Sequence, residues 1–235
     1  MRLMSIDTNA KLAKTNKATG GYLVAGLSLY PDNELCPGAK AAGCMATCLK
    51  EAGRAAFTPS INPARMRKAD RYKTDRAGFM LDLVWDLEAL IRKAGREGKT
   101  PAARLNVLSD IAWESEPVTR NGVTYPGVPQ AFPEITFYDY TKRAARINKT
   151  PENYHLTFSY SGVKSYANQV RLAETRGANM AVVFYKKLPA EFNGRPVIDG
   201  DKTDARFADP AGVVVGLLAK GPAKNDMSGF VVRAA

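Results

Sequence analysis

The sequence predicts a single-domain α/β protein built as a partial (β/α)6, TIM-like barrel. Three observations predict it. Six runs rich in β-branched and aromatic residues recur along the chain, and helical patterns separate several of them. Polar residues gather at the C-terminal ends of the strand-like runs, where a parallel barrel builds its site. A chain of 235 residues is long enough for one such core, and an apolar share of 45% marks it as globular.

The elements follow in order. Residues 1–20 form a basic segment without the continuous apolar stretch of a secretory signal. The first strand is expected over 22–30, YLVAGLSLY. Residues 63–76 are arginine-rich and start a helix. A long helix follows, because Phe79, Leu83, Leu87 and Leu90 recur at helical spacing. Thr74 or Asp75 can cap its start and Gly95 can end it. Further strands are expected over 104–111, 135–140, 154–161, 179–186 and 213–218. A second helix over 165–176 has Ser165 as its cap and Gly177 just past its end. Residues 189–211, rich in Gly, Pro and Asp, read as a long acidic loop before the last strand. Strands alternating with helices imply a parallel sheet.

All three cysteines, Cys36, Cys44 and Cys48, fall in the loop after the first strand. Thiolates gathered there suit an iron–sulfur cluster or zinc, and three ligands leave one coordination position open for chemistry. Set beside this is the plainer reading of small buried apolar residues. Close cysteine spacing without an export signal suits a reducing cytosol, that of the host cell. No run of about eighteen apolar residues exists, so no membrane span is expected.

Thirty-four Lys and Arg against 23 Asp and Glu leave a net charge of +11, which attracts polyanions and nucleic acid above all. The densest run holds Arg65, Arg67, Lys68, Arg71, Lys73 and Arg76, with Tyr72 among them to stack on a base. A second run holds Lys142, Arg143, Arg146 and Lys149. The alternative for either run is a solvated helix face.

At the strand ends the candidates for catalysis are Ser109, Asp110, Glu114, Asp139 and Lys142; Ser109, Asp110 and Ser159 are those for holding a cofactor. Asp199, Asp201, Asp204 and Asp209 would offer oxygen ligands to Mg²⁺ or Ca²⁺, although a turn closed by aspartates explains them too. His155 is the only histidine. That excludes HExxH zinc proteases, Cys₂His₂ fingers and two-histidine nickases; a fourth ligand beside three cysteines remains open. No P-loop, GxGxxG or GxSxG motif occurs.

Three segments, LCPGAKAAGCMATCLKEAGR, RLNVLSDIAWE and DARFADPAGVVVGLLAKG, resemble an uncharacterised bacteriophage gene-product family. More distantly the chain is similar to radical-SAM-like barrels, which carry three cluster cysteines on the loop after the first strand. Here the spacing is C-x₇-C-x₃-C rather than C-x₃-C-x₂-C. Ser109 and Asp110 stand where that family places a Gly-Gly-Glu motif. The resemblance implies a [4Fe–4S] cluster on Cys36, Cys44 and Cys48, with S-adenosylmethionine on the open iron, contacted by Ser109 and Asp110. It points to a phage enzyme acting on nucleic acid or a nucleotide. Two alternatives stand beside it: a non-catalytic nucleic-acid-binding protein with structural zinc or a metal-free loop, and a metal-dependent nuclease.

Overall fold

Strands and helices alternate through most of the chain, and the computed structural model describes residues 1–6 and 10–233. Residues 7–9 of the basic N-terminal segment, and 234–235, lie outside the described residues. Strands β1 (Met4–Ser5) and β2 (Tyr22–Leu27) flank helix α1 (Ala10–Thr19). The cysteine loop then leads to α2 (Ile61–Thr74), α3 (Arg76–Arg96) and β3 (Thr100–Arg104). A hairpin of β4 (Val118–Arg120) and β5 (Val123–Tyr125) precedes the short α4 (Val128–Ala131) and β6 (Thr136–Thr141). The rest comprises β7 (Tyr154–Ser159), α5 (Ala167–Thr175), β8 (Met180–Phe184), β9 (Glu191–Phe192), β10 (Arg195–Asp199), β11 (Val214–Leu218) and β12 (Val231–Val232).

Ten of these strands form one sheet, ordered β1-β2-β3-β6-β7-β8-β11-β10-β9, with β12 paired to β8. Every pairing from β2 through to β10 is parallel; only β1 and β9, at the two edges, run antiparallel to their neighbours. Six strands thus follow one another in sequence order, as expected. The path nonetheless has two ends, and the sheet does not close into a barrel among the described residues. Strand β10 falls within the segment expected to be an acidic loop, and it extends the sheet beyond β11.

The period-2 alternation of side chains divides the core. On one face Leu23, Ala25, Ala103 and Phe137 meet Phe79, Leu83, Leu87 and Leu90 of α3. Each of those helix side chains contributes about 1.5–3 kcal/mol by burial. A second cluster, farther along the sheet, packs Phe158, Met180, Val182 and Val214 with Ala173 of α5. A third carries Val24, Ala102 and Tyr138 against Leu12 of α1 and Phe207.

The differences from expectation have local causes. The second strand ends at Arg104, not Ile111, because the Asn106 side chain folds the chain back. Its Oδ1 accepts from the Ile111 backbone N–H at 2.9 Å and its Nδ2 donates to the Ile111 carbonyl at 2.9 Å. Helix α3 runs past Gly95 to Arg96, whereas its start is the expected one: Asp75 caps it by accepting from the Gly78 N–H at 3.0 Å. Ser165 caps no helix; a 3-10 turn, Lys164–Tyr166, leads into α5 instead. The acidic loop contains the β9–β10 hairpin, turned by Asn193 and Gly194, both at positive φ. Asn-Gly favours that two-residue turn, and Asn121-Gly122 makes the same turn between β4 and β5. No helix among the described residues is long and apolar enough to cross a membrane.

Candidate functional site

Parallel strands place their C-terminal ends, and the loops that follow, at one end of the sheet. The cysteine loop starts there after β2. Asp32 organises its first turn by accepting from the Glu34 and Leu35 N–H groups at 2.9 Å each. Later in the loop, Ser161 and Ser165 donate to the Ala42 and Ala41 carbonyls at 2.7 and 3.2 Å. The Asp110 N–H donates to the Leu35 carbonyl at 2.7 Å. Gly38 lies so close to the end of β6 that a Cβ there would stand 2.6 Å from the Lys142 Cβ. From the far side, the Gly162 N–H donates to the Gly229 carbonyl at 2.9 Å. The loops after β2, β3, β6, β7 and β11 therefore form one connected layer.

Beneath that layer lies a buried polar network, and most of the expected catalytic residues belong to it. Arg146 is its centre. Its Nη1 donates to Asp110 Oδ1 at 2.6 Å, and its Nε and Nη2 donate to the two Glu114 oxygens at 2.7 Å each. Nη2 also reaches the Tyr154 hydroxyl at 3.2 Å, which in turn donates to Asp139 at 2.8 Å. Asp139 accepts from the Asn106 N–H at 2.7 Å, and Asn106 Oδ1 accepts from Ser109 at 2.8 Å and from the Trp113 indole at 3.1 Å. Burial pushes the Asp139 carboxyl up to about 7, against the pull of Arg104 and the Tyr154 and Asn106 hydrogen bonds. It raises Asp110 as well, against the attraction of Arg146. Ser109, Asp110, Glu114 and Asp139 thus hold strand-end loops together. Sequence alone does not single out the two hubs, Arg146 and Asn106. Their signal is weak: one arginine inside a basic run, and one asparagine in a strand-like run.

Lys142 joins that network only through its backbone N–H, which donates to Asp110 Oδ2 at 2.9 Å. It is 8% exposed, and its ammonium donates to Ser159 Oγ at 2.7 Å and sits 5.2 Å from the Phe230 ring. Cys44 adjoins it: burial raises the thiol, while the Lys142 charge and hydrogen bond pull it down. Burial, aided by Asp110, pushes Cys36 up to about 12. Thiols raised by burial stay protonated and behave as small apolar side chains. Among the described residues no group of three or more His, Cys, Asp or Glu is placed to hold a metal ion. The three thiols share a neighbourhood, close enough for Cys44 and Cys48 to act on Cys36 through their charges. His155 stands near the start of β7, at the end of the strand away from the cysteine loop, with Phe207 beside its ring. A fourth ligand to the cysteines is therefore not found there.

The four loop aspartates are dispersed among different partners. Asp199 accepts from the Asp201 N–H, Asp201 pairs with Lys220, Asp204 with Arg104, and Asp209 with Arg206. The arginine-rich run of α2, with Arg76 at the start of α3, is engaged in part. Arg71 pairs with Asp75 and Asp82, Lys73 with Asp32 and Glu34, and Arg76 with Glu116. Lys68 donates to the Leu3 carbonyl at 2.5 Å. Tyr72 is 3% exposed and packs edge-on against Phe79 and Trp113, so its ring is closed to a base. Arg65 donates to Asn62 at 3.0 Å, and Arg67 is exposed to solvent.

Exposed cations also lie on the strand-end loops. Lys40, Lys164, Lys186, Lys187, Lys224 and Arg233 are exposed there, and none makes an ion pair among the described residues. Residues 36–50, 160–166 and 185–190 contain no acid at all, and Asp226 in the loop after β11 is committed to the Val231 N–H at 3.0 Å and to Ser228. Cations without acids on successive strand-end loops are a signal that the sequence itself carries.

Fold and site together define a mixed α/β protein with a largely parallel sheet and a basic strand-end face. A family model described as Gene product 88 matches residues 3–234, and the chain belongs to that family of bacteriophage gene products. No curated protein and no solved structure matches it.

Proposed function

We propose that this phage protein binds nucleic acid through the basic face at the C-terminal ends of its sheet, without catalysis and with a metal-free cysteine loop. One observation carries the reading: exposed cations on the loops after β2, β7, β8 and β11 that make no ion pair among the described residues. Such a surface attracts phosphates and releases counterions when they bind. Helix α2 contributes less, because Arg71 and Lys73 are ion-paired and Tyr72 is buried.

Binding of a labelled oligonucleotide across a salt series tests this. The variant Lys164→Ala/Lys186→Ala/Lys187→Ala/Lys224→Ala is expected to bind more weakly. Its slope of log K against log salt should flatten by about 0.7–0.9 for each phosphate no longer neutralised. Arg67→Ala on α2 should leave that slope near wild type. A quadruple variant with wild-type affinity and slope would remove the strand-end face from the interface.

The second reading is an iron–sulfur, radical-SAM-like enzyme, favoured by the sequential strand order and by cysteines on the loop after the first parallel strand. Iron and sulfide content of protein purified without oxygen separates the two. The metal-free reading expects neither, and expects the buried Cys36 to react with a thiol reagent only on unfolding. Stoichiometric iron lost in Cys44→Ser would reverse the preference.

A further inference from the structure

The basic face also carries exposed ring surfaces. Phe57, at the end of the cysteine loop, is 86% exposed, and Met227 in the loop after β11 is 81% exposed. Leu49 is 49% exposed, and its short helical turn, Leu49–Glu51, packs beside the turn Gly221–Asn225 that precedes Met227. Tyr185, at the end of β8, bears the exposed Arg233 guanidinium 4.0 Å from its ring centre. A guanidinium lying on an aromatic ring offers its outer plane for stacking. Large apolar groups this exposed cost hydration unless a partner covers them.

Resting on the nucleic-acid reading above, we propose that the strand-end face selects single strands, stacking unpaired bases on Phe57 and on the Arg233–Tyr185 pair. The charges choose the polymer and the rings choose its state. In a duplex the faces of the bases are hidden in the stack, so exposed rings gain nothing from it. A single strand presents them, and stacking on an aromatic side chain tolerates any base. Charge complementarity favours this occupant over an apolar protein surface, because the exposed Lys186 stands against the Tyr185 ring and the exposed Lys224 lies three residues before Met227.

The experiment compares an oligothymidylate, a duplex of equal length, and vesicles of phosphatidylserine and phosphatidylcholine, each against wild type, Phe57→Ala and Phe57→Trp. The exposure of Phe57 means that neither substitution disturbs the core. Wild type is expected to bind the single strand more tightly than the duplex. Phe57→Ala should weaken single-strand binding by about tenfold while leaving duplex binding and the salt slope unchanged, and Phe57→Trp should restore it. Equal affinity for both DNA forms with no effect of Phe57→Ala would overturn the stacking proposal and leave the basic-face reading standing. Absence of binding to either DNA by wild type would overturn both. Vesicle binding that depends on Phe57, with no oligonucleotide bound, would reassign the face to anionic membrane surfaces.

Discussion

Arg146→Ala is expected to destabilise the protein by about 3–5 kcal/mol, the cost of removing one partner from a buried ionic cluster. The guanidinium is 7% exposed and serves Asp110 and Glu114, whose side chains are 2% and 10% exposed. Alanine would leave the largely buried Glu114 without its cation and Asp110 with only the Arg143 cation, at 3.9 Å, and the Tyr154 hydroxyl with only Asn106, at 3.5 Å, as a donor. Lysine would not rescue the site, since a single ammonium cannot reproduce the two-pronged contact with Glu114. Urea unfolding reads the effect as a lower midpoint at an unchanged slope. Adding Asp110→Asn and Glu114→Gln to Arg146→Ala should recover part of the loss, because the orphaned charges are then gone. If Arg146→Ala unfolds at the wild-type midpoint, water must already reach the cluster.

That cluster shows where a sequence is legible and where it is not. Residues 79, 83, 87 and 90 announce α3, because a helical period of apolar side chains has one physical interpretation. The sequential strands are legible for a similar reason. The end of the second expected strand is not, because LNVLSDI looks extended by composition, while a single side-chain amide, that of Asn106, turns it back. The hairpin signal at Asn193-Gly194 is present in the sequence but hidden among the aspartates around it. The polar residues at the strand ends are recognisable as a set. Their roles are not, because pairing depends on contacts across 32 to 36 residues of chain, such as Glu114 and Asp110 with Arg146. Charge pairing is equally hidden: Arg71 and Lys73 of α2 meet Asp75, Asp82, Asp32 and Glu34, the last two lying well before α2 along the chain.

The same distinction between a charge and its partner governs Asp204, which the sequence offers as a metal ligand. It is fully buried and paired with Arg104, the last residue of β3. The Tyr140 hydroxyl donates to it at 3.3 Å, and its own N–H donates to Thr15 of α1 at 3.0 Å. One residue therefore ties the segment after β10 to the sheet and to the N-terminal helix. Asp204→Ala should cost about 3–5 kcal/mol, since Arg104 would be left buried and uncompensated. Arg104→Met alone should cost a comparable amount by orphaning the aspartate. Combining Arg104→Met with Asp204→Leu should recover most of the stability, because well-packed apolar residues often replace a buried pair at no loss. Thermal unfolding of the three variants checks this. A metal ligand behaves otherwise: its removal would lower stability only when the metal is present, and a neutral double variant would bring no recovery. Recovery in the double variant would therefore identify Asp204 as a partner of Arg104, and its absence would return Asp204 to the candidates for ligand binding.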